Sequence, residues 1–89
     1  MPITTEKIND TTFKVTVTSR QTTTHTVTVN PEYKEKLAGP NVPAETLIEK
    51  SFEFLLDREL NTSILRSFNL PIIQSYFPEY EQTIRALLK

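Results

Sequence analysis

The side chains that most often carry chemistry are scarce in this sequence. His25 is the single histidine, and the chain has no cysteine that could work beside it. Zinc sites and nucleophilic sites are built from several such groups held close together. The sequence also lacks a glycine-rich phosphate loop and a nucleophile elbow. We therefore predict no catalytic residue, no metal ligand and no cofactor, and we expect a protein that is not an enzyme.

Acidic residues recur at every fourth position in the middle of the chain, at Glu45, Glu49, Glu53 and Asp57. On a helix this spacing aligns them along one face. Hard cations are usually gathered by a loop with a tight turn, and no such loop is visible around these acids. We interpret the ridge as a solvated helix face. A docking face for a basic partner is the second interpretation, and a metal site is the third.

This acidic ridge lies on the longest amphipathic stretch, residues 43–60. The apolar residues between Leu47 and Leu56 fill one sector of the helical wheel, opposite the acids, and so predict a helix that covers a core. Glu59 breaks the pattern, because it falls in the middle of the apolar sector. We predict that the helix ends near Asp57, ahead of the start signal at residues 61–63.

A pair of strands is predicted before the helices, in residues 12–30. Valine and threonine alternate there with period two, which is typical of a half-buried antiparallel pair. The predicted cross-strand pairs are Phe13 with Val29, Val15 with Val27, and Val17 with His25. In this arrangement His25 is a core residue at the border of the apolar face. Residues 3–8 are either a third short strand or an arm lying on the domain.

The opposite face of the hairpin is polar, and we call it the threonine face: Lys14, Thr16, Thr18, Thr24, Thr26 and Thr28. The simplest interpretation is a solvent-exposed sheet face. The sharper one is a partner surface, together with an edge strand open to pairing with another strand. Sheets that bind single-stranded nucleic acid present aromatic side chains for stacking. The threonine face has none.

The remainder of the chain indicates short helices. Residues 31–38 predict one that ends before Gly39, and residues 63–68 and 71–77 predict two more. A last helix begins after Pro78. The pair 63–68 and 71–77 is spaced like a helix-turn-helix, but its second member is short and mostly apolar, and no basic side chain lies between Arg66 and Arg85 to contact phosphates or bases. We therefore reject this pair as a strong signal of DNA binding.

Five aromatic residues fall at helical spacings in the second half of the chain: Phe52, Phe68, Tyr76, Phe77 and Tyr80. Together they are large enough to enclose a cofactor. Aromatic residues at such spacing more often belong to the core, and we interpret them in that way.

The length and the net charge of the chain limit the number of domains and the classes of partner. Eighty-nine residues predict one small domain spanning 1–89, with the hairpin at about 12–30 and the helical part at about 31–89. The fold class is α+β, an N-terminal hairpin packed on C-terminal helices. A net charge of −1 offers no attraction to nucleic acid or acidic membranes. With no membrane-length apolar stretch and no signal-peptide pattern, we expect a cytoplasmic protein.

Three strings, at residues 51–59, 61–73 and 76–80, resemble a family of small uncharacterised bacterial and archaeal proteins. The most distinctive of them are Ser-Phe-Glu-Phe-Leu-Leu and Tyr-Phe-Pro-Glu-Tyr. The resemblance covers roughly the C-terminal half. It implies a prokaryotic, cytoplasmic origin, and it supplies neither an activity nor functional residues.

These observations favour a non-enzymatic protein-interaction domain that binds a protein partner or forms a homodimer through the threonine face or the sheet edge. The second hypothesis is a small regulator that binds nucleic acid with the help of a basic partner. The third is a small-ligand binder that uses the aromatic residues.

Overall fold

A computed structural model describes residues 3–88 of the chain. Four strands and four α-helices are present in that range. In chain order they are β1 (Ile3–Lys7), β2 (Thr12–Thr18), β3 (Thr22–Thr28), α1 (Pro31–Ala38), α2 (Ala44–Leu56), β4 (Ser67–Asn69), α3 (Ile72–Tyr76) and α4 (Tyr80–Leu87). A short 3₁₀ turn, Asn61–Ser63, lies between α2 and β4.

The strands form one mixed sheet in the order β1-β2-β3-β4. The pairs β1–β2 and β2–β3 are antiparallel, and β4 runs parallel to β3 after the crossover through α1 and α2. The predicted α+β class is therefore confirmed, and residues 3–8 do supply a third strand. The prediction of a hairpin with at most one further short strand was wrong, because β2 and β3 are the centre of a four-stranded sheet.

The strand β4 lies where a helix over residues 63–68 was predicted, so the part after residue 31 is not wholly helical. Residues 67–69 form a strand because the edge of β3 offers them backbone hydrogen-bond partners. The Thr26 N–H donates to the Arg66 carbonyl at 2.7 Å, and the Leu70 N–H donates to the Thr28 carbonyl at 2.9 Å. A helix of six residues has little stability of its own. Pairing with β3, which also buries Phe68, decides the conformation.

The pairing of β2 with β3 is shifted by two residues from the predicted register. His25 lies opposite Val15, and Val27 lies opposite Phe13. A shift of two keeps every side chain on its own face, so the alternation that predicted the pair cannot detect it. The loop at residues 19–21 joins Thr18 directly to its partner Thr22, and this short connection sets the register.

The helices cover the inner face of the sheet. Val15, Val17 and Val27 are fully buried there, together with Leu47 and Phe52 of α2. The helix α2 ends at Leu56 with Asp57 as its C-terminal cap, as the position of Glu59 predicted. The helix α1 has the predicted bounds 31–38 and ends at Gly39, where φ is +81°.

A buried hydrogen-bond chain fastens α4 to α2. Ser51 Oγ donates to the Leu47 carbonyl at 2.7 Å, so the Tyr80 hydroxyl, 2.7 Å from Ser51 Oγ, acts as its donor. Burial raises the pKa of the Tyr80 hydroxyl, which therefore stays protonated. The C-terminal end of α2 lies beside α3, and residues of these two helices line a groove on the helical side of the protein.

Candidate functional site

The threonine face forms the solvent side of the sheet. Lys14, Thr18, Thr24 and Thr26 are exposed, and Thr16 and Thr28 are half-buried. The register extends this surface to the neighbouring strands through four more polar residues: Thr4, Glu6, Ser67 and Asn69. Within the four strands no large apolar side chain belongs to this surface. The structure thus brings the six predicted residues together, and their role as a partner surface stays a prediction.

A second surface lies on the helical side, where α2 ends beside α3. It is an open groove of about 330 Å³, and we call it the apolar groove. Its lining residues are Leu55, Glu59, Ser63, Ile64, Leu65, Phe68, Ile72, Ile73, Tyr76 and Phe77. Eight of these ten side chains are aliphatic or aromatic, so the groove offers mainly dispersion and hydrophobic contacts.

Large apolar side chains are exposed at this groove. Tyr76 is 62% exposed and Leu65 is 45% exposed, and both belong to the lining. Leu60, which directly follows the lining residue Glu59, is 72% exposed. Exposed apolar side chains are ordinary when scattered, whereas a large contiguous group of them often coincides with an interaction site.

Glu59 is the one charged residue in the lining. Its N–H donates to the Leu55 carbonyl at 2.9 Å, which continues the last turn of α2 and holds Glu59 toward the groove. The side chain is half-buried, and this burial raises the pKa of the Glu59 carboxyl above its usual range. None of the ion pairs formed by residues 3–88 includes Glu59.

The cation nearest to Glu59 in sequence, Arg58, makes its contacts elsewhere. Arg58 stacks on the Phe54 ring, with its guanidinium carbon 3.6 Å from the ring centre. Its Nη1 donates to the Phe54 carbonyl at 3.1 Å, and its Nε donates to Glu79 Oε2 at 3.3 Å. These contacts join the end of α2 to the start of α4, so Arg58 stabilises the groove wall and does not neutralise Glu59.

Buried polar contacts fix the other wall of the groove. The Asn61 side-chain amide donates to the Gln21 carbonyl at 2.8 Å and to Thr23 Oγ1 at 3.0 Å. His25 lies 2.8 Å from Thr23 Oγ1 through Nε2 and 2.8 Å from the Leu65 carbonyl through Nδ1. A carbonyl only accepts, so we assign the proton to Nδ1, and the Thr23 hydroxyl then donates to Nε2.

These hydrogen bonds give His25 a structural role in the core. The ring is 1% exposed, as a core histidine was predicted to be, and it packs against Phe52 with a centroid distance of 5.4 Å. Through the Leu65 carbonyl it holds the segment that lines the groove against β3. His25 therefore acts on the groove indirectly, by positioning one of its walls.

The other candidates are dispersed. Glu45, Glu49 and Asp57 are exposed and Glu53 is half-buried, consistent with a solvated ridge. Across residues 3–88, no group of three or more acidic or histidine side chains is placed to hold a metal ion.

The five predicted aromatic residues do not form a single cluster. Phe52 packs on Phe68 at 6.1 Å between centroids, while Phe77 and Tyr80 pack on Phe54. Tyr76 is largely exposed to solvent. Three of the five, Phe68, Tyr76 and Phe77, line the apolar groove. The groove itself was not predicted from the sequence, and its signals there were these aromatic residues and the acid at the apolar position 59.

Comparison with known proteins gives no family model, no curated protein and no solved structure that matches this chain. None of the helices within residues 3–88 combines the length and the apolar character needed to cross a membrane.

Proposed function

We propose that this protein is a non-enzymatic protein-interaction domain whose apolar groove binds a segment of a partner protein. The segment places apolar side chains in the groove and one lysine or arginine opposite Glu59. The observation that carries this proposal is Glu59, a half-buried residue of the groove lining whose carboxylate has no cationic partner among the described residues.

Charge complementarity specifies the basic side chain. A carboxylate that loses part of its hydration without gaining a partner destabilises the free protein. A lysine or arginine from a partner would restore that lost stabilisation, and the surrounding apolar lining would strengthen the attraction by excluding water. Arginine also offers paired donors that match the two carboxylate oxygens.

The shape of the groove favours a polypeptide over a small molecule. Small-molecule sites enclose roughly 300–1,000 Å³ and cover most of the ligand. This groove, at about 330 Å³, is at the lower limit and is open, with Tyr76 and Leu65 exposed at its rim. Such a rim suits side chains that enter from a larger partner surface, since exposed aromatic residues are typical contact anchors.

Nucleic acid fits both surfaces less well. The groove carries a negative charge, which repels phosphate groups, and the threonine face offers one lysine and no aromatic ring for stacking. The nucleic-acid hypothesis would need a basic surface from another protein.

Selection from a library of short random peptides displayed on phage tests the proposal and does not require an identified partner. We expect the enriched peptides to share apolar residues next to a lysine or arginine. Synthetic copies of one such peptide, with the basic residue kept or replaced by glutamate, then measure the contribution of charge. The exchange is expected to weaken binding by at least about tenfold, since a like-charge contact replaces an ion pair.

Two protein variants make the assignment specific. Glu59→Gln removes the charge in the groove, whereas Glu49→Gln removes one from the exposed ridge of α2 and serves as the matched control. We expect only the first to weaken binding of the basic peptide. Enriched peptides without a basic residue, or equal affinity for both variants, would show that Glu59 does not recognise a cation.

A further inference from the structure

The strand β1 forms an open edge of the sheet. In an antiparallel ladder, successive residues direct their N–H and C=O groups alternately toward and away from the neighbouring strand. The Ile8 N–H donates to the carbonyl of Thr12, the first residue of β2. Thr4 and Glu6 lie an even number of residues before Ile8, so their backbone N–H and C=O groups also bond to β2. The backbone groups of the other three residues therefore point away from the sheet, at Ile3, Thr5 and Lys7.

We propose that this edge pairs antiparallel with β1 of a second copy of the chain, about a two-fold axis at Thr5. Among the backbone hydrogen bonds of residues 3–88 outside regular elements, none reaches the outer edge of β1. An uncovered strand edge is a template for another strand, and identical partners associate through symmetric pairings.

The charges on β1 select this axis over its neighbours. An axis at Glu6 would place the Glu6 side chains of the two subunits next to each other. An axis at Lys7 would place the two Lys7 side chains next to each other. Like charges directly opposite each other destabilise a sheet. An axis at Thr4 would pair only Ile3 and Thr5 within the described part of β1. The axis at Thr5 avoids each of these costs.

With the axis at Thr5, each outward-directed residue meets another. Ile3 lies opposite Lys7 of the partner subunit, and Thr5 lies opposite Thr5 of the partner subunit. Each such pair exchanges two hydrogen bonds, which gives about six across the interface. On the solvent face Thr4 lies opposite Glu6 of the partner subunit. Five residues a side form a short interface, so we expect weak, concentration-dependent association.

The pairing of Thr4 with the partner's Glu6 can be tested with two substitutions of Thr4 that should change the dimer affinity in opposite directions. Thr4 is exposed, so its substitution leaves the fold intact. Thr4→Lys creates two lysine–glutamate pairs across the axis, and Thr4→Glu creates two glutamate–glutamate pairs. We expect the first to strengthen association by about fivefold and the second to weaken it by about as much. Sedimentation velocity over a concentration series measures both.

Thr5→Pro removes the central outward N–H while keeping the bonds between β1 and β2, so it is expected to give a folded monomer. A wild-type protein that stays monomeric at every accessible concentration would overturn the proposal. So would a dimer with the same affinity in both Thr4 variants, since its interface would lie elsewhere. The groove lies at the β4 side of the sheet, so its peptide binding is a separate readout.

Discussion

The solvent face of the sheet and the apolar groove differ in what a partner gains by covering them. The solvent face is flat and made of threonine, serine and asparagine with a few charges, all able to bond to water. The groove is concave and leaves Tyr76 and Leu65 in contact with solvent. Covering apolar surface gains about 25 cal/mol per Å², whereas covering hydrated hydroxyls gains little. The sheet face alone therefore lacks an energetic anchor.

Both surfaces depend on the same strand, β3. Its alternate residues point to opposite sides, so Thr24 and Thr26 belong to the solvent face. Thr23 and His25 point inward and hold the groove wall through Asn61 and the Leu65 carbonyl. Neighbouring residues of one strand thus serve different purposes, and substitutions along it separate the two surfaces.

The largest expected effect is on stability, along β3. His25→Ala removes a buried ring and leaves the Leu65 carbonyl and the Thr23 hydroxyl without their partner, so it should lower the free energy of unfolding by about 3 kcal/mol. Thr26→Ala on the solvent side should change it by less than about 0.5 kcal/mol. Urea unfolding measures both values. Similar losses in the two variants would mean that the inward hydrogen-bond chain contributes little.

The second effect is on partner binding. Tyr76→Ala removes the most exposed aromatic side chain of the groove and should weaken binding of the selected peptide by about tenfold or more, with little change in stability. Thr16→Glu and Thr26→Glu alter the solvent face and should leave this affinity unchanged. Calorimetric titration compares them. The opposite ranking would assign the partner to the threonine face and leave the groove without a role.

Glu59→Leu separates the stability of the groove from its use. Leucine extends the apolar lining and removes a carboxylate that has lost part of its hydration, so the free energy of unfolding should rise by about 0.5 kcal/mol. The same change should abolish the preference for a basic peptide. A residue that lowers stability while it supports binding is typical of a functional site. Loss of stability in Glu59→Leu would instead indicate that the carboxylate has a structural partner in solution.

The sequence predicted the local elements well, because their signals are local. Each of these signals depends on residues close together in the sequence. They are the alternation of valine and threonine in the strands, the proline at the start and the glycine after the end of α1, and the apolar sector of α2. The strand β4 was not predictable in this way, since a three-residue strand is stabilised by the free edge of β3, about forty residues earlier.

The groove illustrates the same limit at the level of the site. Its walls come from α2, α3 and the segment 61–66, and that segment is positioned by His25 and Thr23 from the sheet. No spacing in the sequence encodes this meeting of distant residues. Glu59 was visible in the sequence as a break in the apolar pattern. The residues that surround its side chain could be identified only from the folded structure.

The smallest expected effect is a dependence of stability on pH at Glu59. Burial raises the pKa of this carboxyl in the folded state above its unfolded value. In acid both states are protonated, and the carboxyl has no effect on stability. As the pH rises toward the folded pKa, the native state binds more protons than the unfolded state, so the stability contributed by this group falls.

The difference in free energy of unfolding between Glu59→Gln and the wild type should therefore be smallest in acid and grow toward neutral pH. The basic peptide should follow a related course, because it binds the ionised carboxylate and loses affinity as the pH falls. Urea unfolding and peptide titration over the same pH series measure the two trends. A stability difference that does not vary with pH would mean that the Glu59 carboxyl keeps its hydration in the folded protein, and its desolvation would then no longer account for a preference for a basic peptide.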